Sequence, residues 1–524
     1  IIMTKPFNSA NAFDLSHDHK LTCHMGHLVP VLCEEVCPGD VWRWNADVFL
    51  RLMPMLAPMM HDVDVYVHCW NVPSRILFSG FEDFITGGKE GNDSQEWPHV
   101  VAGESGFAVG SLADYLGCPT GVAGISVSAL PFRGYQKIYN DWYRDQNLIS
   151  EVAISTAAGL DTTTVLDLQR RAWHKDYFTG CLPWAQRGDQ VYLPLGTSAP
   201  VTIQSNGTLT LGKSSAGTAP TVSVKLGTVD GVVGRQLATT LPEGSGMSTG
   251  DELLYRRGLK ATADLRTATA ASINDIRVAF QIQRFMEKNA RGGARYIEWL
   301  LSHFGVRSSD ARLQRPEYLG GGKVPISISE VLQTSSTDAT SPQGNMAGRG
   351  ISYQNCPQFT KTFEEFGYVY AILSIVPRAS YQQGLRRLWT RKDRYDYPLP
   401  VFAHLGNQEV KEQELYCQAP TVVDGDGNVV NDKTFGYQER YEELRRIPSQ
   451  VAGQMKTSLN FWHLGRIFDS APELNKTFIE CTPSKRVFAV TDADKDECIV
   501  QIHHNIQAIR CFPKRGDPGL IDHD

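Results

Sequence analysis

The sequence predicts a mainly β protein of the sandwich or jelly-roll kind, and three stretches carry that prediction. Early in the chain, Val63-Asp64-Val65-Tyr66-Val67-His68-Cys69-Trp70 alternates with period two. Val63, Val65, Val67 and Cys69 share one face, the pattern of a half-buried strand, and Pro73 ends it. Late in the chain, Tyr368-Val369-Tyr370-Ala371-Ile372-Leu373-Ser374-Ile375-Val376 is almost continuously apolar, which reads as a strand covered on both faces and stopped by Pro377. A last strand candidate covers residues 499–512, with Val500, Ile502, Ile506 and Ala508 on one side and Gln501, His503, Asn505 and Gln507 on the other. Strand-rich first and last thirds must pair across a long gap, as sandwiches and jelly rolls do.

Composition supports a loop-rich β architecture. Among 524 residues, 42% are hydrophobic and 21% charged, which is globular, and 46 Gly with 27 Pro argue against a helical bundle. The net charge of −6 speaks against holding nucleic acid by bulk charge. DNA contact must then be local, or delegated to a basic partner. The 11 cysteines include no C-x-x-C pair, so reduced, mostly buried thiols are expected. The apolar run Leu-Met-Pro-Met-Leu-Ala-Pro-Met-Met at 52–60 is too short and too Pro-broken for a bilayer, and no apolar leader is visible at the start. No membrane insertion is expected.

The middle of the chain differs. Residues 188–250 hold 11 glycines and only six charged residues, with β-like bursts such as Pro200-Val201-Thr202-Ile203 and Thr221-Val222-Ser223-Val224 between turn signals. This is the composition of an exposed, elaborated loop. Two helices come next. Ser272-Ile273-Asn274-Asp275 opens the first as a capping-box variant; Ile276, Ala279, Phe280 and Ala290 are expected on one face, widened by Ile282, Phe285 and Met286. Gly292-Gly293 breaks it, and a second runs over 295–304 until Gly305.

Several segments imitate chemistry. Gly207-Thr208-Leu209-Thr210-Leu211-Gly212-Lys213-Ser214 matches a phosphate loop, but its interior is strand-like. The next residues, Ser215-Ala216-Gly217-Thr218-Ala219-Pro220, cannot start a stable helix, so a hairpin is expected. Asp424-Gly425-Asp426-Gly427-Asn428 begins like a calcium loop but has Val429 where Gly is needed and Phe435 where Glu is needed, which again predicts a turn. His17, His19, Cys23, His24 and His27 are metal-competent residues at close spacing, yet no second cluster completes a tetrahedral site. Packing at a subunit contact is the expected role. The pairs Glu364-Glu365 and Glu442-Glu443 read as solvated faces. No catalytic residue, metal ligand or cofactor site is assigned.

For nucleic acid, the best local patch is Arg386-Arg387-Leu388-Trp389-Thr390-Arg391-Lys392-Asp393-Arg394-Tyr395. Cations interleaved with aromatics suit phosphate contact plus base stacking, which makes Arg386, Arg387, Trp389, Arg391, Lys392 and Arg394 DNA-contact candidates. The competing reading is a patch salt-bridged to a neighbouring subunit.

In order along the chain, several segments together resemble the Microviridae major capsid protein, most closely its gokushovirus branch. They are Phe13-Asp14-Leu15-Ser16-His17-Asp18-His19-Lys20-Leu21-Thr22-Cys23-His24-Met25-Gly26, Pro38-Gly39-Asp40, the Met/Pro run at 52–60 and Phe84-Ile85-Thr86-Gly87-Gly88. Further on come Pro131-Phe132-Arg133-Gly134-Tyr135-Gln136-Lys137-Ile138-Tyr139-Asn140-Asp141-Trp142-Tyr143-Arg144, Gln283-Arg284-Phe285-Met286-Glu287-Lys288-Asn289-Ala290-Arg291-Gly292-Gly293 and Pro518-Gly519-Leu520-Ile521-Asp522-His523. The resemblance implies an eight-stranded antiparallel jelly roll (a viral capsid β-barrel) with large loop insertions and a few helices. It implies a homo-oligomer of about sixty copies in a T=1 icosahedral shell around circular single-stranded DNA. The implied partners are an internal scaffolding protein, a pilot (minor capsid) protein, a small basic DNA-binding protein and a host surface receptor. The implied location is the virion, assembled in the host bacterial cytoplasm. On this reading residues 1–187 form the N-terminal part of the jelly roll with insertions. Residues 188–261 form a variable surface protrusion, and 262–524 a helical insertion and then the C-terminal part of the roll. Within the protrusion Asn206, Thr208, Thr210, Lys213 and Lys225 are host-contact candidates. The alternatives are a β-sandwich hydrolase, which needs a convergent polar pocket, and a cell-surface binding module.

Overall fold

The computed structural model describes residues 10–89, 95–189, 191, 201–205, 209–213, 222–224, 253–255, 259–263, 273–293, 295–334, 344–512 and 514. Two antiparallel sheets dominate. Their strands, in chain order, are β1 (His17–Cys23), β2 (Val29–Val36), β3 (Val41–Leu52), β4 (Val63–Pro73), β5 (Glu317–Pro325), β6 (Ser327–Leu332), β7 (Met346–Asn355), β8 (Phe359–Thr362), β9 (Gly367–Pro377) and β10 (Cys498–Arg510). In the first sheet the order is β1-β10-β3-β7-β6; the strand Asn11–Asp14 also pairs with β10, and β8 with β3. The second sheet runs β5-β4-β9-β2.

The two ends of the chain do meet: β10 lies along β3 from Cys498↔Leu52 to Ile509↔Val41. Alternation explains how the sheets face each other. Trp42, Trp44, Ala46, Val48 and Leu50 of β3 and Val500, Ile502, Ile506 and Ala508 of β10 turn into one core. They meet Val63, Val65, Val67 and Cys69 of β4 and Val369, Ala371, Leu373 and Ile375 of β9. Each large apolar side chain so buried stabilises the fold by roughly 1.5–3 kcal/mol. Met55 and Met59 of the Met/Pro run also enter this core, while Leu56 and Met60 point outward.

β9 is buried at every position because it is an inner strand of its sheet and both faces are covered. Its even-numbered residues Tyr368, Tyr370 and Ile372 enter a second core on the outer face. The same cover corrects the expectation for β4. Its period-two pattern holds, but the opposite face is not solvated: Trp70 and Val72 also lie in the second core. The lid is helix α1 (Leu130–Ile138), which contributes Leu130, Phe132, Tyr135 and Ile138. Its motif residues have structural duties. Arg133 is fully buried and donates to Asp161 (2.7 Å) and to the carbonyls of Leu77 and Ala157. Gln136 holds the carbonyls of Val165 and Asp167. Gly134 is needed for space, since a Cβ there would come within 2.1 Å of the Tyr370 hydroxyl.

The chain divides into two compact units, Ile1–Arg187 with Glu287–Asp524, and Gly188–Met286. In the second unit Val201–Ser205 pairs with Leu259–Ala263, and Leu209–Lys213 pairs with both Val222–Val224 and Leu253–Tyr255, all antiparallel. The described interior of the phosphate-loop match, Leu209–Lys213, is therefore a strand.

Helix α2 (Ile273–Gly292) and helix α3 (Tyr296–Phe304) are where the glycines predict. Gly293 and Gly305, just past their ends, adopt φ of +92° and +69°. The expected apolar stripe of α2 needs correction. Ala279 and Ala290 are buried and Ile276 and Met286 partly so, but Phe280 (64% exposed), Ile282 and Phe285 point to solvent. At 100° per residue the inward stripe runs through 276, 279, 283, 286 and 290, and the other three rotate off it.

Candidate nucleic-acid interface

Residues 386–395 form a short 3-10 turn, Arg387–Trp389, and then a loop. Of these, Arg387, Trp389, Thr390, Arg391, Lys392 and Tyr395 line a groove of about 520 Å³ to which Lys411, Arg440 and Tyr441 also contribute. Trp389 stands 72% exposed and Tyr395 is exposed on the same groove. This is the arrangement stacking requires.

The cations of the patch divide into two sets. Arg391 pairs with Glu443 at 3.4 Å, and Gln408 donates to the other oxygen of that carboxylate at 2.6 Å. Arg387 lies 4.0 Å from Glu414, whose carboxyl is raised above its ordinary range by burial, against the opposing pull of Arg387. Both arginines therefore have acidic partners inside this chain. Arg394 donates to the Tyr395 hydroxyl at 2.7 Å and sits over its ring. Arg386 and Lys392 have no carboxylate partner among the described residues. The cations free to meet phosphate are thus Arg386, Lys392 and Arg394.

Sequence reading missed Lys411, Arg440 and Tyr441, which come from segments well downstream. It also misjudged Glu442-Glu443. Glu442 is buried and pairs with Arg445 and Arg446, and Glu443 anchors Arg391, so neither is a solvated face. Such pairs form because a carboxylate losing water needs donors in return.

Of the other flagged residues, the N-terminal histidines His19, His24 and His27 come together, without forming a metal-holding group among the described residues. Asn206, Thr208 and Lys225 lie outside the described residues, while Thr210 and Lys213 belong to the strand Leu209–Lys213. Asp424 accepts from the amides of Asp426 and Asn428, and its amide bonds back to the Asn428 carbonyl, closing a tight turn. His24 and His27 stay together, with ring centroids 5.6 Å apart, and with His19 they line one cavity beside Asp494 and Asp496. His19 bonds the Val31 carbonyl, His24 lies between Asp496 (3.3 Å) and Glu497 (2.6 Å), and burial lowers His27 to about 3. Cys23 sits opposite Cys498 in the sheet register. Among the described residues no three His, Cys, Asp or Glu side chains form a metal-holding group. All 11 cysteines are free thiols, and six are buried. Among the described residues no helix is long and apolar enough to cross a membrane.

Compared with known proteins, the family described as "Capsid protein (F protein)" matches residues 7–520. The chain belongs to this phage capsid family. It is 36% identical to Capsid protein VP1 of Chlamydia phage 1, over 97% of this chain and 95% of that one. It is 37% identical to Capsid protein VP1 of Bdellovibrio phage phiMH2K over the same shares, and 32% identical to Capsid protein VP1 of Spiroplasma virus 4 over 95% and 93%. These are gokushovirus capsid proteins, so the resemblance read from the motifs holds. The chain is a bacteriophage capsid protein, a component of the virion that works as an oligomer, and its family implies a structural, non-enzymatic role.

Proposed function

We propose that this capsid protein tiles a T=1 shell of about sixty copies around circular single-stranded DNA, and that its two main sheets form an eight-stranded jelly roll. The strand order carries the reading. Strands β1, β3, β7 and β10 belong to one sheet and β2, β4, β5 and β9 to the other, so the chain passes back and forth between them in Greek-key fashion. The ladders β1-β10-β3-β7 and β2-β9-β4-β5 then enclose one core, a rigid wedge whose loops can vary while the wedge still packs.

On this reading Arg386, Lys392, Arg394, Trp389 and Tyr395 face the packaged DNA, with Arg387 and Arg391 holding the groove in shape. The net charge of −6 leaves most phosphate neutralisation to a small basic DNA-binding protein. An internal scaffolding protein guides assembly and a pilot protein completes the particle. Residues 188–261 form a protrusion that contacts a host surface receptor through Asn206, Thr208, Thr210, Lys213 and Lys225. Its support is the Gly-rich, charge-poor composition and the separate compact unit beginning at Gly188.

Electron microscopy of the chain expressed with its scaffolding partner tests the shell. Closed particles of T=1 diameter are expected; soluble monomers in the presence of folded scaffold would overturn the reading. Deleting residues 207–244 should leave particles intact and impair host attachment. Unimpaired attachment would remove the protrusion from the receptor contact.

A further inference from the structure

Beside the cationic groove lies a smaller cavity of about 110 Å³. Its floor is aromatic: Tyr177, Phe178 and Tyr381 are buried there, with the Phe178 and Tyr381 ring centroids 4.8 Å apart. Leu388 and Leu444 add apolar wall, and Arg386 is at its lining. Cavity and groove have Arg387, Arg391, Glu414 and Glu443 in common.

The polar atoms of that shared wall are incompletely used. Arg387 Nη1, which faces Glu414 only at an ion-pair distance of 4.0 Å, and Arg391 Nε are buried and make no hydrogen bond among the described residues. A buried donor left unpaired costs stability that a ligand acceptor would restore. On the same wall Glu414 accepts from the Tyr177 hydroxyl (2.8 Å) and the Lys411 amide (3.1 Å). Glu443 accepts from Gln408 and Arg391. A carboxylate offers about four lone-pair sites, so each can take a further donor. The cavity thus presents an aromatic surface, spare donors and spare acceptors within one small space, next to the unpaired cations Arg386 and Lys392.

We propose that this cavity receives a single unpaired base of DNA whose backbone lies in the adjoining groove, and that it prefers cytosine over thymine. The inference rests on the reading of residues 386–395 as a DNA contact. Aromatic contact holds any base. The guanidinium donors match the cytosine carbonyl oxygen, and the carboxylates match its exocyclic amino group, a pairing that recurs where Glu or Asp reads cytosine. Thymine has no amino group to offer Glu414 or Glu443, so that half of the match is lost. Charge complementarity selects a polyanion over an apolar peptide, because the cations free at the rim would be left facing uncharged surface. One base bound per chain would also pin the genome at a repeated spacing under the shell.

Fluorescence anisotropy of the full chain with labelled oligodeoxycytidylate, oligothymidylate and an abasic strand of equal length tests this. Cytosine strands should bind about tenfold more tightly than thymine or abasic strands, the discrimination a well-matched base contact supports. Leu444→Trp fills the cavity from an exposed position and should bring cytosine binding down to the abasic level; Ser449→Phe should do the same from another wall. Lys392→Gln should weaken all three strands alike. Equal binding of cytosine and abasic strands, unchanged by Leu444→Trp and Ser449→Phe, would overturn the base site while leaving the groove as a backbone contact. Absence of salt-dependent binding by any strand would overturn the groove reading and the base site together.

Discussion

Strand β9 and the basic segment 386–395 lie close together in sequence and behave in opposite ways. In β9 an apolar run becomes a strand whose odd residues enter one core and even residues another. In 386–395 an equally conspicuous pattern, cations interleaved with aromatics, does not translate residue by residue. Arg387 and Arg391 are held by Glu414 and Glu443 of the same chain, while Arg386, Lys392 and Arg394 have no carboxylate partner among the described residues. Apolar burial sums over neighbours a fixed two residues apart, so it can be read locally. A charge is spent on whichever partner the fold delivers, and that partner comes from elsewhere in the chain.

The largest effect expected is at β9. Ile372→Asp places an unpaired charge in a filled core at a cost of several kcal/mol, enough to abolish folding. Ile499→Asp, on the outward face of β10, should change stability by no more than about 0.5 kcal/mol. Soluble yield and thermal melting compare them; equal damage would mean that the two faces of these strands are not distinct.

Next comes Arg391→Gln, which strands Glu443 and should cost about 1–3 kcal/mol by chemical denaturation. A neutral outcome would return Arg391 to the cations available for DNA.

The third prediction concerns pH. His504 is fully buried, takes a hydrogen bond from Trp44 on Nδ1 (3.3 Å), donates from Nε2 to the Val31 carbonyl (3.0 Å), and is lowered to about 3 by burial. As pH falls below about 6.5 the unfolded chain takes up this proton and the folded chain does not. Stability must therefore fall with pH from about 6.5 toward 3, by at most about 1.4 kcal/mol per pH unit for this group. His504→Gln keeps both hydrogen bonds and should make the slope of melting temperature against pH shallower; an unchanged slope would mean that His504 is protonated in the fold.

The smallest effect is Lys392→Gln, expected to leave stability within about 0.5 kcal/mol. It should reduce the salt dependence of oligonucleotide binding by roughly one counterion. Loss of stability instead would show that Lys392 belongs with Arg387 and Arg391 as part of the scaffold.

Much of the fold was legible. The three strands read from periodicity are strands, and the helix breaks at Gly293 and Gly305 are where glycine predicts them. The site was legible only in outline. Residues 386–395 do border a groove, but Lys411, Arg440 and Tyr441 carry no local signal. Glu442-Glu443 has the sequence of an exposed pair, yet the fold surrounds it with Arg445, Arg446 and Arg391. The missed face of β4 came from a distant segment, since α1 contributes its cover, whereas the misdrawn stripe of α2 was a matter of helical periodicity that the sequence did hold.

By itself, the sequence determined which segments become strands, which of their faces turn inward, and, through ordered motifs, the capsid family. Those properties depend on backbone periodicity and on the chemistry of adjacent residues. Only the tertiary structure decided that both faces of β4 and β9 are covered, that Arg387 and Arg391 are already engaged, and that an aromatic cavity adjoins the groove. Each of these requires segments far apart in the chain to be brought within a few ångströms, where desolvation and pairing set which charges remain available.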